Sequence, residues 1–153
     1  MTKQQGQHRR IWHSLYGRLL EEKLLIQATQ AVRRRNGAPG VDGQSCKDFA
    51  ANRAVEVKAL LDELRSKRYQ PRPVKRVKLI KEDGGVRLIG IPAVRERVVQ
   101  QALKMVLEPI FEEQFSDGSY GYRPYRSAQD AVRHVTRLMR EEGLEHVVDM
   151  DLS

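Results

Sequence analysis

Apolar residues along this chain recur mostly at helical spacing, and the pattern is broken by one turn-rich loop and one stretch of period two. Trp12, Leu15, Tyr16 and Leu19 lie three and four residues apart, and Leu24, Leu25, Ala28 and Val32 continue a second amphipathic run, so two short helices are expected. The second closes on Arg33-Arg34-Arg35, where cations suit the negative end of a helix dipole. Asn36-Gly37-Ala38-Pro39-Gly40-Val41-Asp42-Gly43 then breaks the helix in an ordered loop dense in turn residues. Val57, Leu60, Leu61 and Leu64 form the next apolar face, which stops before Tyr69-Gln70-Pro71-Arg72-Pro73 because proline cannot continue a helix.

From Pro73 to Pro92 the pattern turns extended. Val77-Lys78-Leu79 alternates, Glu82-Asp83-Gly84-Gly85 is a turn, and Val86-Arg87-Leu88-Ile89-Gly90-Ile91 resumes, which predicts a β-hairpin made basic by Lys75, Arg76 and Lys78. Val99, Leu103, Val106 and Ile110 then fall on one stripe expected in the core, with Pro109 kinking or dividing the helix near its end. Ser127 can cap a last helix with Asp130 in a capping-box pattern, Ala131, Val135, Leu138 and Met139 along its buried side and Gly143 as its stop. His146 to Ser153 reads as a strand. The elements make an α+β fold, expected as one folded unit without internal repeat or linker.

The turn decides where two cations point. A two-residue loop at Asp83-Gly84 sets Lys81 opposite Val86 and sends Lys81 and Arg87 to opposite faces. A three-residue loop of Asp83, Gly84 and Gly85, with a glycine in the left-handed region, pairs Lys81 with Arg87 on one face. Two fixed cations there could clamp a triphosphate, Arg87 by its planar donor fork and Lys81 as a point charge, or they are ordinary charges of a solvated hairpin.

Composition narrows the partner. The chain has 153 residues, 40% of them apolar, enough for a globular core, and 28 Lys and Arg against 20 Asp and Glu give a formal charge of +8. A basic excess of this size points to a polyanion, nucleic acid first. Cys46 is the one cysteine, which excludes an internal disulfide and a cysteine zinc cluster and suits a reducing cytoplasm. His8, His13, His134 and His146 show no metal-ligand spacing and read as surface or packing residues. No apolar run is long enough for a membrane helix, and Met1 to Arg10 lacks the apolar stretch of a signal peptide, so no membrane partner is expected. Asp149 and Asp151 are two residues apart, so a strand would turn both carboxylates to one side, as metal-assisted phosphoryl transfer requires or as an exposed strand end allows.

Read in order, these pieces resemble the fingers of group II intron reverse transcriptases. The resemblance is carried by the loop at Asn36 to Gly43, Ile80-Lys81 through Arg87-Leu88-Ile89-Gly90-Ile91-Pro92, Arg95-Glu96-Arg97-Val98-Val99-Gln100, Leu107-Glu108-Pro109-Ile110-Phe111-Glu112 and Ser119-Tyr120-Gly121-Tyr122-Arg123-Pro124, in the family's order and spacing. It implies a right-hand polymerase with a helical extension at 1–35, fingers at 36–146 and the start of the palm at 147–153. Lys81 and Arg87 would then contact the incoming deoxynucleotide. Asp151, with the Leu152 carbonyl, would be the first magnesium ligand and catalytic carboxylate, Asp149 the weaker candidate. The loop at Gly37, Gly40 and Gly43 would lie over the RNA template. Arg33, Arg34, Arg35, Asn36, Lys75, Arg76, Lys78 and Arg123 would contact RNA. Intron RNA and a DNA primer are the implied partners, and no oligomeric state is implied.

Two departures leave the mechanism's charges intact: where many relatives have Ile-Pro-Lys this chain has Leu79-Ile80-Lys81, and Tyr122 stands where Phe is common. The sequence contains no Tyr-x-Asp-Asp, and that motif, the sugar-screening aromatic residue and the thumb are expected beyond Ser153. The chain is therefore expected to be an N-terminal piece without activity of its own. The competing expectation is a stand-alone basic RNA-binding module without catalysis.

Overall fold

The computed structural model describes residues 15–150. They divide into two compact units, Met1–Glu108 and Pro109–Ser153, in place of the single unit expected. The basic excess belongs to the first, which carries 23 Lys and Arg against 11 Asp and Glu, whereas the second carries 5 against 9.

In the first unit the chain forms α1 (Leu15–Leu19), α2 (Glu22–Arg35), α3 (Cys46–Ala51), α4 (Arg53–Arg65), β1 (Lys75–Ile80), β2 (Val86–Ile91) and most of α5 (Val94–Glu112). The helices pack their apolar stripes into one core. Leu25, Ala28 and Val32 of α2, Phe49 of α3, Val57, Leu60, Leu61 and Leu64 of α4, and Val94, Val98 and Ala102 of α5 are all buried. Each set repeats every three or four residues, so one face of each helix is withdrawn from water. Tyr16 is half exposed, and its hydroxyl donates to the Leu64 carbonyl at 2.6 Å, tying α1 to the end of α4.

The helix α3 was not foreseen. It is short, but Ser45 caps it by accepting the Asp48 N–H while the Asp48 carboxylate accepts from the Ser45 backbone, a reciprocal arrangement that starts a helix without a long apolar run.

In α5 the buried line is Val94, Val98, Ala102 and Val106, with Val99 beside it. Leu103, expected in the core, is 40% exposed because it lies on the flank of that line. The helix is not divided at Pro109 and runs on to Glu112, the missing N–H falling within its last turn where little remains to be interrupted.

Among the described residues the sheet is the antiparallel pair β1 and β2, both largely exposed. The second unit contains α6 (Ala128–Glu141), opened by the expected capping box of Ser127 and Asp130. Gly143, at φ +67, follows its end. None of its residues is buried: Val135 and Met139 are each 49% exposed, against expectation. Residues 144–150 form no strand, since an isolated strand has no neighbour to take its backbone N–H and C=O groups. Val147, Val148 and Met150 are accordingly exposed, as is Asp149.

Candidate nucleic-acid interface

The hairpin closes one residue earlier than the sequence suggested. Leu79 pairs with Arg87 and Ile80 with Val86, so Lys81 stands opposite Gly85 rather than Arg87. The loop is Glu82, Asp83 and Gly84. The Gly84 N–H donates to the Lys81 carbonyl at 3.0 Å, and the Lys81 N–H donates to the Gly85 carbonyl at 2.8 Å. Gly84 takes φ +79, a left-handed conformation that costs glycine little, and the Asp83 carboxylate accepts the Gly85 N–H at 2.9 Å.

Side chains alternate along a strand, so this register leaves Lys81, Leu79, Arg87 and Ile89 on one face. Lys81 and Arg87 are diagonal neighbours there, a relation of about 7–8 Å between backbones that long side chains can bridge. A β-carbon added to Gly85 would lie 3.5 Å from Lys81 Cδ, so the lysine stem covers the position two residues before Arg87 on that face. Of the other hairpin cations, Lys75 shares this face, whereas Arg76 and Lys78 lie on the reverse with Ile80, Val86 and Leu88. The five are not gathered on one surface.

The glycine loop is built against its own protein. Asn36 caps α2 in the left-handed conformation at φ 44, and Arg33, Arg34 and Arg35 in the last turn are exposed. A β-carbon on Gly40 would come within 2.5 Å of the Ala93 backbone, and one on Gly37 within 2.7 Å of an Arg97 guanidinium nitrogen. Arg97 also donates to the Ala38 carbonyl at 2.9 Å. Small residues at 37 and 40 thus serve the start of α5. Gly43, at φ +70, has open space around it and is glycine for its backbone conformation alone.

An ionic group centred on the buried Glu96 and reaching the surface at Arg72 and Asp42, missed in the sequence, locks this loop to the base of the hairpin. Arg72 pairs with Asp42 of the loop at 2.8 Å, and its backbone N–H points to Glu96 Oε1 at 3.4 Å. Glu96 is only 3% exposed and lies 3.7 Å from Arg95 Nε. Arg95 binds the Glu63 carboxylate through both terminal nitrogens and sits 5.4 Å above the Tyr69 ring. The hydrogen bonds from Arg95 hold the Glu63 carboxyl below the usual glutamate range, the same bonds raise Arg95 further, and burial pushes Tyr69 up. The signal was present in Arg95-Glu96, two opposite charges at the start of an apolar helix, but their partners are distant in sequence.

In the second unit Arg123 does not face solvent as an RNA contact would. Its side chain is 7% exposed, donates to Glu112 at 2.6 Å and to the Ser116 and Ser119 carbonyls at 2.7 and 3.0 Å, and lies over Phe115. Tyr122 and Tyr125 beside it are fully exposed and have positive φ, 58 and 60, an uncommon conformation for an aromatic residue. His134 is a packing residue, hydrogen-bonded to the Tyr120 hydroxyl at 2.8 Å. Asp151, Leu152, Trp12, His8 and His13 lie outside the described residues. Among the described residues no group of three His, Cys, Asp or Glu side chains is placed to hold a metal ion, and no helix is long and apolar enough to cross a membrane.

Comparison with known proteins finds relatives in sequence. Over 130 residues, 83% of the chain, it is 29% identical to the group II intron-encoded protein LtrA of Lactococcus lactis subsp. cremoris. The chain is a homologue of group II intron-encoded proteins. It is also 41% identical over 140 residues, 88% of its length, to protein YkfC of Escherichia coli strain K12. A 43-residue stretch is 44% identical to nuclear intron maturase 2, mitochondrial, of Arabidopsis thaliana, 28% of this chain and 6% of that one. The homology covers only part of the longer proteins: the chain spans 37% of YkfC and 21% of LtrA. No family model matches.

Proposed function

We propose that this chain supplies the fingers of an RNA-directed DNA polymerase of the group II intron type. In this reading the first unit binds template and intron RNA, and the hairpin presents Lys81 and Arg87 to the triphosphate of the incoming deoxynucleotide. The observation that carries it is the shared face of Lys81 and Arg87 on an exposed hairpin, in a homologue of intron-encoded proteins. The charge partition supports the RNA part, since 23 of the 28 Lys and Arg lie in the first unit.

Asp151 and the Leu152 carbonyl are proposed as this chain's share of a magnesium site in the palm. Magnesium would supply charge stabilisation at the reacting phosphate and a lowered barrier for the attacking oxygen, but it needs carboxylates beyond Asp151. The 153 residues by themselves are therefore expected to bind RNA and not to extend a primer.

The test uses a longer form of the protein that includes a Tyr-x-Asp-Asp segment. Lys81→Ala and Arg87→Ala should each raise the KM for deoxynucleotide in primer extension on an RNA template while changing RNA affinity little. Arg87→Lys should recover less than full function, since a lysine cannot make the bidentate contact. Unchanged nucleotide dependence in both alanine variants refutes the role.

A further inference from the structure

We propose that the first unit carries a pocket for one nucleoside 5′-phosphate, formed where the end of α2, the glycine loop and α5 meet. The proposal rests on the RNA-binding reading above and names the chemistry of one site within it. The pocket has a volume of about 450 Å3, within the range of roughly 300–1,000 Å3 usual for small-ligand clefts.

Its lining divides into three chemistries. Arg35, Arg97 and Lys104 bring positive charge, and no Asp or Glu lines the pocket. A carboxylate does stand nearby, since Lys104 pairs with Glu108 at 3.2 Å, but one acid against three cations leaves the site attractive to a phosphate. The negative end of the α2 dipole is offset by the three arginines of its last turn. Val32 and Pro92 supply apolar wall, suited to the flat face of a base. Gln100 and Gln101 supply amides, each able to donate and accept at once, which is the pattern that pairs with adenine N6 and N7. A bare anion would use the cations alone. The apolar wall and the two amides are what argue for a base attached to the phosphate.

Arg97 is held in place before any ligand arrives. Its guanidinium donates to the Ala38 carbonyl and lies against Gly37, so the glycine loop fixes one cation of the pocket. The loop then acts on a ligand through Arg97 as well as by its own backbone.

The nucleotide has two possible sources, a free mononucleotide or one unstacked residue of a single strand. The experiment uses the full chain with two probes, 5′-AMP followed by calorimetry and a labelled single-stranded adenylate decamer followed by anisotropy. Gln100→Trp fills the pocket without altering charge. Lys104→Gln removes one cation, and matched thermal melting of both variants and the parent establishes that they fold.

Gln100→Trp is expected to weaken the decamer at least tenfold while leaving its salt dependence unchanged, and Lys104→Gln is expected to reduce the slope of log affinity against log salt by about 0.7. Binding of AMP by the parent, lost in Gln100→Trp, assigns the pocket to a free nucleotide. Loss confined to the decamer assigns it to a strand residue. Equal binding of both probes by the parent and Gln100→Trp overturns the pocket and leaves RNA binding standing. A parent that binds neither probe overturns both.

Discussion

Replacing Gly40 by alanine adds one methyl group where the protein has no room for it. Gly40 is buried, and the new carbon would lie 2.5 Å from Ala93 Cα and 2.6 Å from Ala93 N. These are backbone atoms, not the end of a movable side chain. Ala93 is itself fully buried, and its carbonyl accepts the Arg97 N–H in the first turn of α5, so it cannot retreat without opening that turn. Overpacking of this kind costs about 1–3 kcal/mol. At about 4 °C per kcal/mol for a unit near 100 residues, the melting temperature should fall by roughly 4–12 °C.

Gly43 provides the control from the same loop. Its φ is +70 with nothing within 4 Å of an added carbon, so Gly43→Ala incurs only the left-handed penalty of about 1–2 kcal/mol. Asparagine tolerates that conformation, so Gly43→Asn should recover most of the loss, whereas Gly40→Asn should be at least as destabilised as Gly40→Ala. Thermal unfolding followed by circular dichroism separates the four variants. If Gly40→Ala melts with the parent, the close approach to Ala93 is not what requires glycine there. A loop selected only for contact with RNA would give that result.

The Glu63 and Arg95 pair makes stability depend on acid. Because Arg95 lowers the Glu63 pKa in the folded state, the pair's contribution is complete above the unfolded value, about 4.3, and is lost as pH falls through the lower folded value. Glu63→Gln should lower the melting temperature at neutral pH and make its decline in acid shallower; an unchanged acid profile would refute the pairing. Some decline should remain, since Asp48 is also lowered, by its bonds to Ser45. In the second unit, Ser127→Ala removes the cap of a helix that buries none of its residues, at a cost of about 1 kcal/mol. Amide exchange should quicken in the first turns of α6 and stay unchanged in α4, and equal protection with and without Ser127 would count against the cap.

What could be read from the residues was local. The three buried leucines and the valine of α4, the capping box at Ser127 and the stop at Gly143 each depend on neighbours within one or two turns. Burial at longer range was not legible. Leu103 and the face of α6 carry the right spacing for a core, but spacing states only that a face is apolar, not that another element covers it. The surroundings of Arg123 were hidden for a related reason: the resemblance implied an RNA contact, while its partners within the protein, Glu112 and the Ser116 and Ser119 carbonyls, come from a turn whose path the sequence does not reveal. The Asp42, Arg72, Glu96, Arg95 and Glu63 group spans several elements and could not be assembled from spacing at all.

The hairpin explains why a wrong register still leaves the proposed clamp intact. The loop slid by one residue, from Asp83–Gly85 to Glu82–Gly84, which moves each strand by one position and the pairing by two. Faces alternate with period two, so a shift of two preserves them, and Lys81 remains on the side of Arg87. A two-residue loop would have changed the pairing by an odd number and separated the cations. Glycine at 84 and Asp83 accepting from Gly85 favour the three-residue form. The geometry on which the proposed nucleotide contact depends therefore rests less on the identity of paired residues than on the parity of the loop, and the turn residues determine that parity.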